Sequence, residues 1–319
     1  MRTRLLIISS LLVGNLINAA ILRVSKDATY LPHYSEIQAA IDGSEAGDSI
    51  YVYPGSYGNA TIKKEIAIFG VGYFLVENAK ESLTKFVSPT KVGTITFKYG
   101  SNNSIISGLY SGRIYCDTVS NINISGNRVN GISLRSSNNI HIHRCYSDEY
   151  IDGANSNGVI INNNIIANYI AFDSESSLDI YNNYSSWEIN VSNSNIYNNI
   201  NNCPGSYWNG YRNHSQANCL AKNNIYMTNG FGTAENNNFQ SNSEQIYPKG
   251  LINDNYRLTE GSTAIGKGIG GVDCGPFGGD DPYCLSGINY IPTISTLNIP
   301  NQASNTSGLK LNVIVKSNN

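Results

Sequence analysis

The chain has 319 residues, 14% of them charged, and a formal net charge of −2. It carries no Lys/Arg-rich block and no aromatic-basic motif, which removes nucleic acid as an expected partner. Abundant Asn, Ser, Gly and Tyr suit backbone pairing and stacked side chains, and argue against an all-helical fold.

In chain order, "MRTRLLIISSLLVGNLINAA" sets Arg2 and Arg4 before an apolar run that closes on small residues, the pattern of a secretory signal peptide over 1–20. Cleavage is expected after Ala20, and removing two arginines and no acids takes the formal charge from −2 to −4. The mature chain is expected outside the cytoplasm: periplasmic, secreted or on the cell surface. No later stretch is suited to a transmembrane span. "YSEIQAAID" then places Ser35, as a cap, before Ile37, Ala40 and Ile41. That spacing predicts a short helix over about 35–42, suited to covering the open end of a stack. "GDSIYVYPGSYGNATIKKEIAIFG" reads as short strands punctuated by Pro-Gly and Gly-Asn.

A repeat fills the middle of the chain. Aligning "SNINISGN", "NNIHIHRC", "NGVIINNN", "SSLDIYNN" and "NSNIYNN" produces a column of Ile124, Ile142, Ile161, Ile180 and Ile196, spaced by 18, 19, 19 and 16. Three residues later stand Asn127, Cys145, Asn164, Asn183 and Asn199, so Cys145 occupies an asparagine position. A second strand per unit contributes Ile114, Ile132, Ile151, Ile170 and Ile189. Alternation with period two inside a unit of about 18–19 residues predicts an all-β parallel β-helix, each coil stacked on the last. Asparagines at the corner can bond to the coils above and below while tolerating a tight turn. The β-helix is expected over 21–260, followed by a C-terminal segment over 261–319. There "IPTISTLNIP" and "LKLNVIVKSNN" read as two strands that cover the far end or pack along the side.

With these residues in view, the chain resembles bacterial parallel β-helix proteins of the pectin-lyase-like superfamily. "IQAAID" followed by "GDSIYVYPGSY" is similar to the opening of exported members. "GYFLVEN", "DCGPFGG", "LSGI" and "VKSNN" look like a Bacteroidetes-type exported group. The resemblance implies right-handed coiling. It carries no catalytic residue across: of the Asn-Thr-Asp, Asp-Asp, Gly-His-Gly and Arg-x-Lys set of polygalacturonases, Asp280-Asp281 alone is present, in the tail after the repeats. The calcium-ligand and base motifs of pectate lyases are likewise missing, and fold alone does not assign chemistry.

Several residues carry possible chemistry. Ile140 and Ile142 point inward, so His141 and His143 point outward together. The positions expected around them on neighbouring coils, Asn123, Ser125, Ile160 and Asn162, offer no strong third ligand, so neither a metal nor another cofactor is expected. On the second strand, Tyr150, Tyr169, Asp152, Asp173 and Arg135 form an outward polar and aromatic strip. Such a face suits a polysaccharide: tyrosine rings offer a flat apolar surface, acids accept sugar hydroxyls, and arginine holds a carboxylate. Asp152 and Asp173 are the carboxyl pair that glycoside hydrolysis would need, with Arg135 as the charge neutraliser of a lyase. The leading expectation is a non-catalytic carbohydrate-binding or cell-surface structural protein, with polysaccharide lyase or glycoside hydrolase as the alternative.

Between Asn199 and Asn224 the period breaks, and the insertion holds Tyr207, Trp208 and Tyr211 as a second possible glycan contact. Six cysteines in an exported chain invite disulfides, and local spacing suggests Cys203–Cys219 and Cys274–Cys284 clasps. Cys116 and Cys145, in columns about two coils apart, are expected to remain thiols.

Overall fold

A computed structural model describes residues 19–78, 86–203, 218–227, 236–248 and 256–287, together with the backbone of 293–298 and 312–316. Residues 1–18 of the expected signal peptide lie outside these residues. Parallel strands stack into a right-handed β-helix of about eight turns. On the first sheet Ile50, Ile68, Ile106, Ile124, Ile142, Ile161, Ile180 and Ile196 pair in unbroken register. All eight are fully buried, and burial of an isoleucine is worth roughly 1.5–3 kcal/mol. Ile114, Ile132, Ile151, Ile170 and Ile189 form the second predicted column, also fully buried.

Each coil carries a third side beyond the two strand columns read from the sequence. A further row of two-residue strands follows the asparagine corner: Tyr146–Ser147, Ile165–Ile166, Tyr184–Ser185, Ile200–Asn201 and Ile225–Tyr226. In two earlier coils the long strands Tyr110–Asp117 and Arg128–Arg135 run through both of the later sides.

The corner is held by a buried amide ladder. The backbone N–H groups of Asn164, Asn183, Asn199 and Asn224 donate to the side-chain oxygens of Asn183, Asn199, Asn224 and Asn238, at 2.9–3.0 Å. The amide nitrogens of the same residues also donate up the ladder, at 3.0 Å. The residue before each rung lies in the left-handed region, as Asn163, Asn182, Asn198 and Asn223 do at φ 53–58°, which asparagine tolerates better than other side chains. Cys145 interrupts the ladder. Its Sγ stands where a rung amide would, 3.3 Å from the His143 carbonyl and 3.5 Å from that of Ile124.

The helix Ile37–Gly43 buries Ile37, Ala40 and Ile41 against the first coils. Its cap position is Glu36, which makes no capping bond, so the expected Ser35 cap is corrected by one residue. Gln38 anchors the helix: its side chain accepts from Thr61 N–H at 2.7 Å and donates to the Thr61 carbonyl at 3.2 Å, occupying an end strand's backbone groups.

The outward residues of the third row are apolar: Tyr146, Ile165, Tyr184, Ile200 and Ile225. They form a second core with Ile246, Tyr247, Tyr256, Cys274 and Tyr283. The C-terminal segment therefore packs along the side of the solenoid, running back toward the first coils. It is held by the left-handed corner column. Asn223 donates to the Lys267 carbonyl at 2.7 Å, Asn198 accepts from Ile269 N–H at 2.8 Å, and Asn182 donates to Asp273 at 3.0 Å. Asn163 donates to Gly278 at 2.7 Å, and Arg144 pairs with Asp281 at 2.9 Å. At Gly126 (φ 57°) the tail comes so close that an added Cβ would sit 3.2 Å from the Gly287 carbonyl oxygen. Farther along the chain, Thr293–Asn298 pairs antiparallel with Asn312–Lys316, as the two predicted strands.

The expected disulfide clasps are not seen: no two of the described cysteines lie at disulfide distance. Cys274 of the tail is buried against the solenoid with its Sγ 3.3 Å from the Asn223 carbonyl, Cys284 Sγ lies 3.8 Å from that of Leu285, and Cys219 Sγ lies 3.5 Å from that of Val191. Cys116 and Cys145 are buried thiols, as expected, and burial pushes the Cys145 thiol up to about 12. Among the described residues no helix is long and apolar enough to cross a membrane.

Two substitutions test the ladder. Asn183→Ala orphans buried donors at Asn164 and should cost about 3 kcal/mol in urea unfolding, since each unsatisfied buried group costs about 1–3 kcal/mol. Cys145→Asn completes the interrupted rung and should stabilise by about 1 kcal/mol; a lower unfolding midpoint would contradict the rung assignment.

Candidate functional site

The second-strand face carries a surface recess of about 320 Å³, lined by Arg135, Asp152, Tyr169 and Asp173 around Ala154 and Ala171. Register explains the depression. Arg135 pairs in column with Ala154, and Asp152 with Ala171, so a large side chain alternates with a methyl group on successive coils. Gly153 turns inward between Leu134 and Phe172, and an added Cβ there would strike the Phe172 ring, so small size is needed to seat that ring. The volume falls near the lower end of the roughly 300–1,000 Å³ of small-molecule sites.

Among the described residues, the Arg135 guanidinium makes no ion pair and the Asp152 carboxylate accepts no hydrogen bond from a side chain or backbone. Their neighbours are committed: Asp117, below Arg135, pairs with Lys98 at 2.8 Å, and Arg113 pairs with Glu149 at 2.9 Å. Asp173 is committed too. It accepts from Asn155 N–H at 3.0 and 3.1 Å and from Ser176 Oγ at 2.7 Å, so this carboxylate ties down the turn between strands. The nominated Asp152–Asp173 pair thus divides into one carboxylate available in the recess and one employed in the backbone corner.

Tyr150 and Tyr169 stack at 5.4 Å and 11°, and Arg113 lies 5.2 Å from the Tyr150 ring. Tyr169 lines the recess, while Tyr150 stands behind it. Partial burial and the Asp152 charge raise the Tyr169 phenol above its usual value, so it stays a protonated donor at neutral pH. Tyr207, Trp208 and Tyr211 lie outside the described residues.

A second cluster forms on the first sheet. His141 and His143 project outward together, as predicted, and their rings stack at 4.0 Å and 9°. The expectation that a third strong ligand is lacking is corrected: the tail brings Asp281 onto the pair, its Oδ2 2.7 Å from Nδ1 of His143. Asn162 joins both, with Oδ1 2.6 Å from Nε2 of His141 and its amide nitrogen 3.3 Å from Asp281 Oδ2. Arg144 occupies the left-handed corner (φ 53°) that asparagine fills in the later coils. A long side chain in that strained conformation points to a use for it, and its guanidinium holds the Asp281 carboxylate. Asp281 is 138 residues from His143 and arrives only through tail docking, which the periodicity of the coils does not report. The apolar residue after each corner asparagine was the available signal, because an outward apolar column needs a cover.

No protein-family model matches the chain, and no curated protein matches it in sequence.

Burial raises the Asp281 carboxyl, but the hydrogen bond and charge of His143, with Arg144, outweigh it and hold the group below the usual carboxylate range. A depressed pKa contributes stability above the ordinary value and loses it as pH falls through the lowered one. Protease cleavage within 256–287 should therefore rise below about pH 4, whereas Asp281→Asn should be cleaved faster already at pH 7 with a smaller acid-induced increase.

Proposed function

We propose that this protein is an exported, pectin-lyase-like β-helix protein that holds an acidic glycan on its second-strand face without cleaving it. One observation carries the reading: Arg135, which makes no ion pair among the described residues, and Asp152, whose carboxylate accepts no hydrogen bond among them, flank one recess whose rim includes Tyr169. Arg135 matches a uronate carboxylate, Asp152 accepts sugar hydroxyl groups, and Tyr169 offers a ring edge and a phenol donor. The rigid coil stack fixes these groups before the ligand arrives, which lowers the ordering cost of binding. The signal-like N-terminus and the resemblance to exported β-helix proteins support an extracytoplasmic setting. Binding rather than hydrolysis is favoured because Asp173, the second carboxylate of the recess, is held by Asn155 and Ser176.

Titration of the mature protein with uronate-containing and neutral oligosaccharides tests this. Uronate binding is expected, with Arg135→Ala weakening it by about 1.5–3 kcal/mol and Tyr169→Ala by a smaller amount. Equal affinity for neutral chains, or release of unsaturated or newly reducing products, would replace the proposal with a different ligand or with catalysis.

A further inference from the structure

We propose that His141, His143 and Asp281 form a binding site for a borderline divalent transition-metal ion of the Zn²⁺ type, which fastens the C-terminal segment to the solenoid. One donor atom from each of the three residues lies within 4.8 Å of the others. The site lies on the first sheet and does not depend on the glycan reading.

The two imidazoles come from alternate positions of one strand, between the fully buried Ile140 and Ile142 and the next corner. Their backbone is paired on both sides, to Asn123–Ser125 and to Ile160–Asn162, so the separation of the rings is set by the sheet. Two imidazoles and one carboxylate favour zinc-like ions over Ca²⁺ or Mg²⁺, which prefer all-oxygen shells. With metal–ligand bonds near 2.0–2.2 Å, donors around a tetrahedral ion stand roughly 3.3–3.5 Å apart. Closing the present triangle takes side-chain adjustments of about an ångström, within reach of the half-buried His141 and of Asp281.

The surroundings supply the supporting bonds that a metal site needs. Nδ1 of His143 faces Asp281, while its Nε2 lies 3.1 Å from Asn123 Oδ1, an acceptor that would hold the proton on Nε2 and leave Nδ1 for the ion. Asp281 uses Oδ1 for Arg144 at 2.9 Å, which leaves Oδ2 directed at the histidine pair. Arg144 Nε also points at His143 Nδ1, at 3.3 Å, and the ion would replace that contact. Asn162 Oδ1, 2.6 Å from His141, or a water molecule completes the fourth position. Joining His143 to Asp281 closes a loop spanning 138 positions, and a cross-link of that length restricts the unfolded chain strongly.

The experiment is titration of the metal-stripped full chain with Co²⁺, followed by visible absorption, and then displacement by Zn²⁺. Saturation at one equivalent, with tetrahedral d–d bands bleached by Zn²⁺, is expected. Zn²⁺ should also raise the melting temperature and protect 256–287 from protease. His141→Ala, which leaves the tail's own contacts in place, and Asp281→Asn should each weaken Co²⁺ binding at least about tenfold and abolish the Zn²⁺-dependent melting shift, with far-UV circular dichroism confirming the fold. Asp152→Asn, in the recess, should bind Co²⁺ like the parent. Absence of saturable Co²⁺ bands in the parent, or equal affinity in His141→Ala, would overturn the assignment.

Discussion

The constraint on which this structure depends is that the asparagine corner of the stacked coils buries backbone donors that water cannot reach. Left unpaired, each would cost on the order of 1–3 kcal/mol. The asparagine ladder answers this by turning each side chain into a partner for the neighbouring coil's backbone, at about the 4.8 Å spacing of parallel strands. The same geometry stacks Tyr181 on Tyr197 at 4.8 Å and 4° and keeps the isoleucine columns in register. Cys145 shows how local the tolerance is: one rung is a thiol, and the coils continue above and below it.

The corner does a second job. Its left-handed residue points outward, and in successive coils that residue is an asparagine whose amide reaches the tail backbone. Opposite the tail's apolar residues, the outward column from Tyr146 to Ile225 supplies buried surface, so docking combines amide bonds with a second core. Where asparagine yields to arginine at 144, the tail presents an acid. The His141–His143–Asp281 cluster is thus a consequence of how the solenoid is covered, and its three donors meet because the tail runs back along the coils.

The recess arises from a different rule. On an outward column nothing enforces identity from coil to coil, so size can alternate freely. Ala154 above Arg135 and Ala171 above Asp152 leave a depression bounded by long polar side chains. Neighbouring charges on the same face form ion pairs, as Lys98–Asp117 and Arg113–Glu149 do, whereas among the described residues Arg135 and Asp152 form none. The recess lies where the surface columns depart from the repeat.

By itself the sequence determined the coil: period-two alternation repeated at about 19 residues sets which isoleucines face inward, and pairing then follows from backbone spacing, as Ile124 through Ile196 show. The neighbours of Asp152 and Arg135 were legible for the same reason, since adjacent coils contribute residues at a known offset. The third side of each coil was not legible, because two-residue strands such as Ile165–Ile166 are too short to show a period. Tertiary structure alone decided where the aperiodic tail lies. It separated the cysteines expected to form clasps, committed Asp173 to a turn, and carried Asp281 to two histidines far away in sequence. Periodic contacts repeat their information in every coil, whereas a docked tail is specified once, by complementarity between its own side chains and a surface that exists only after the coils have stacked.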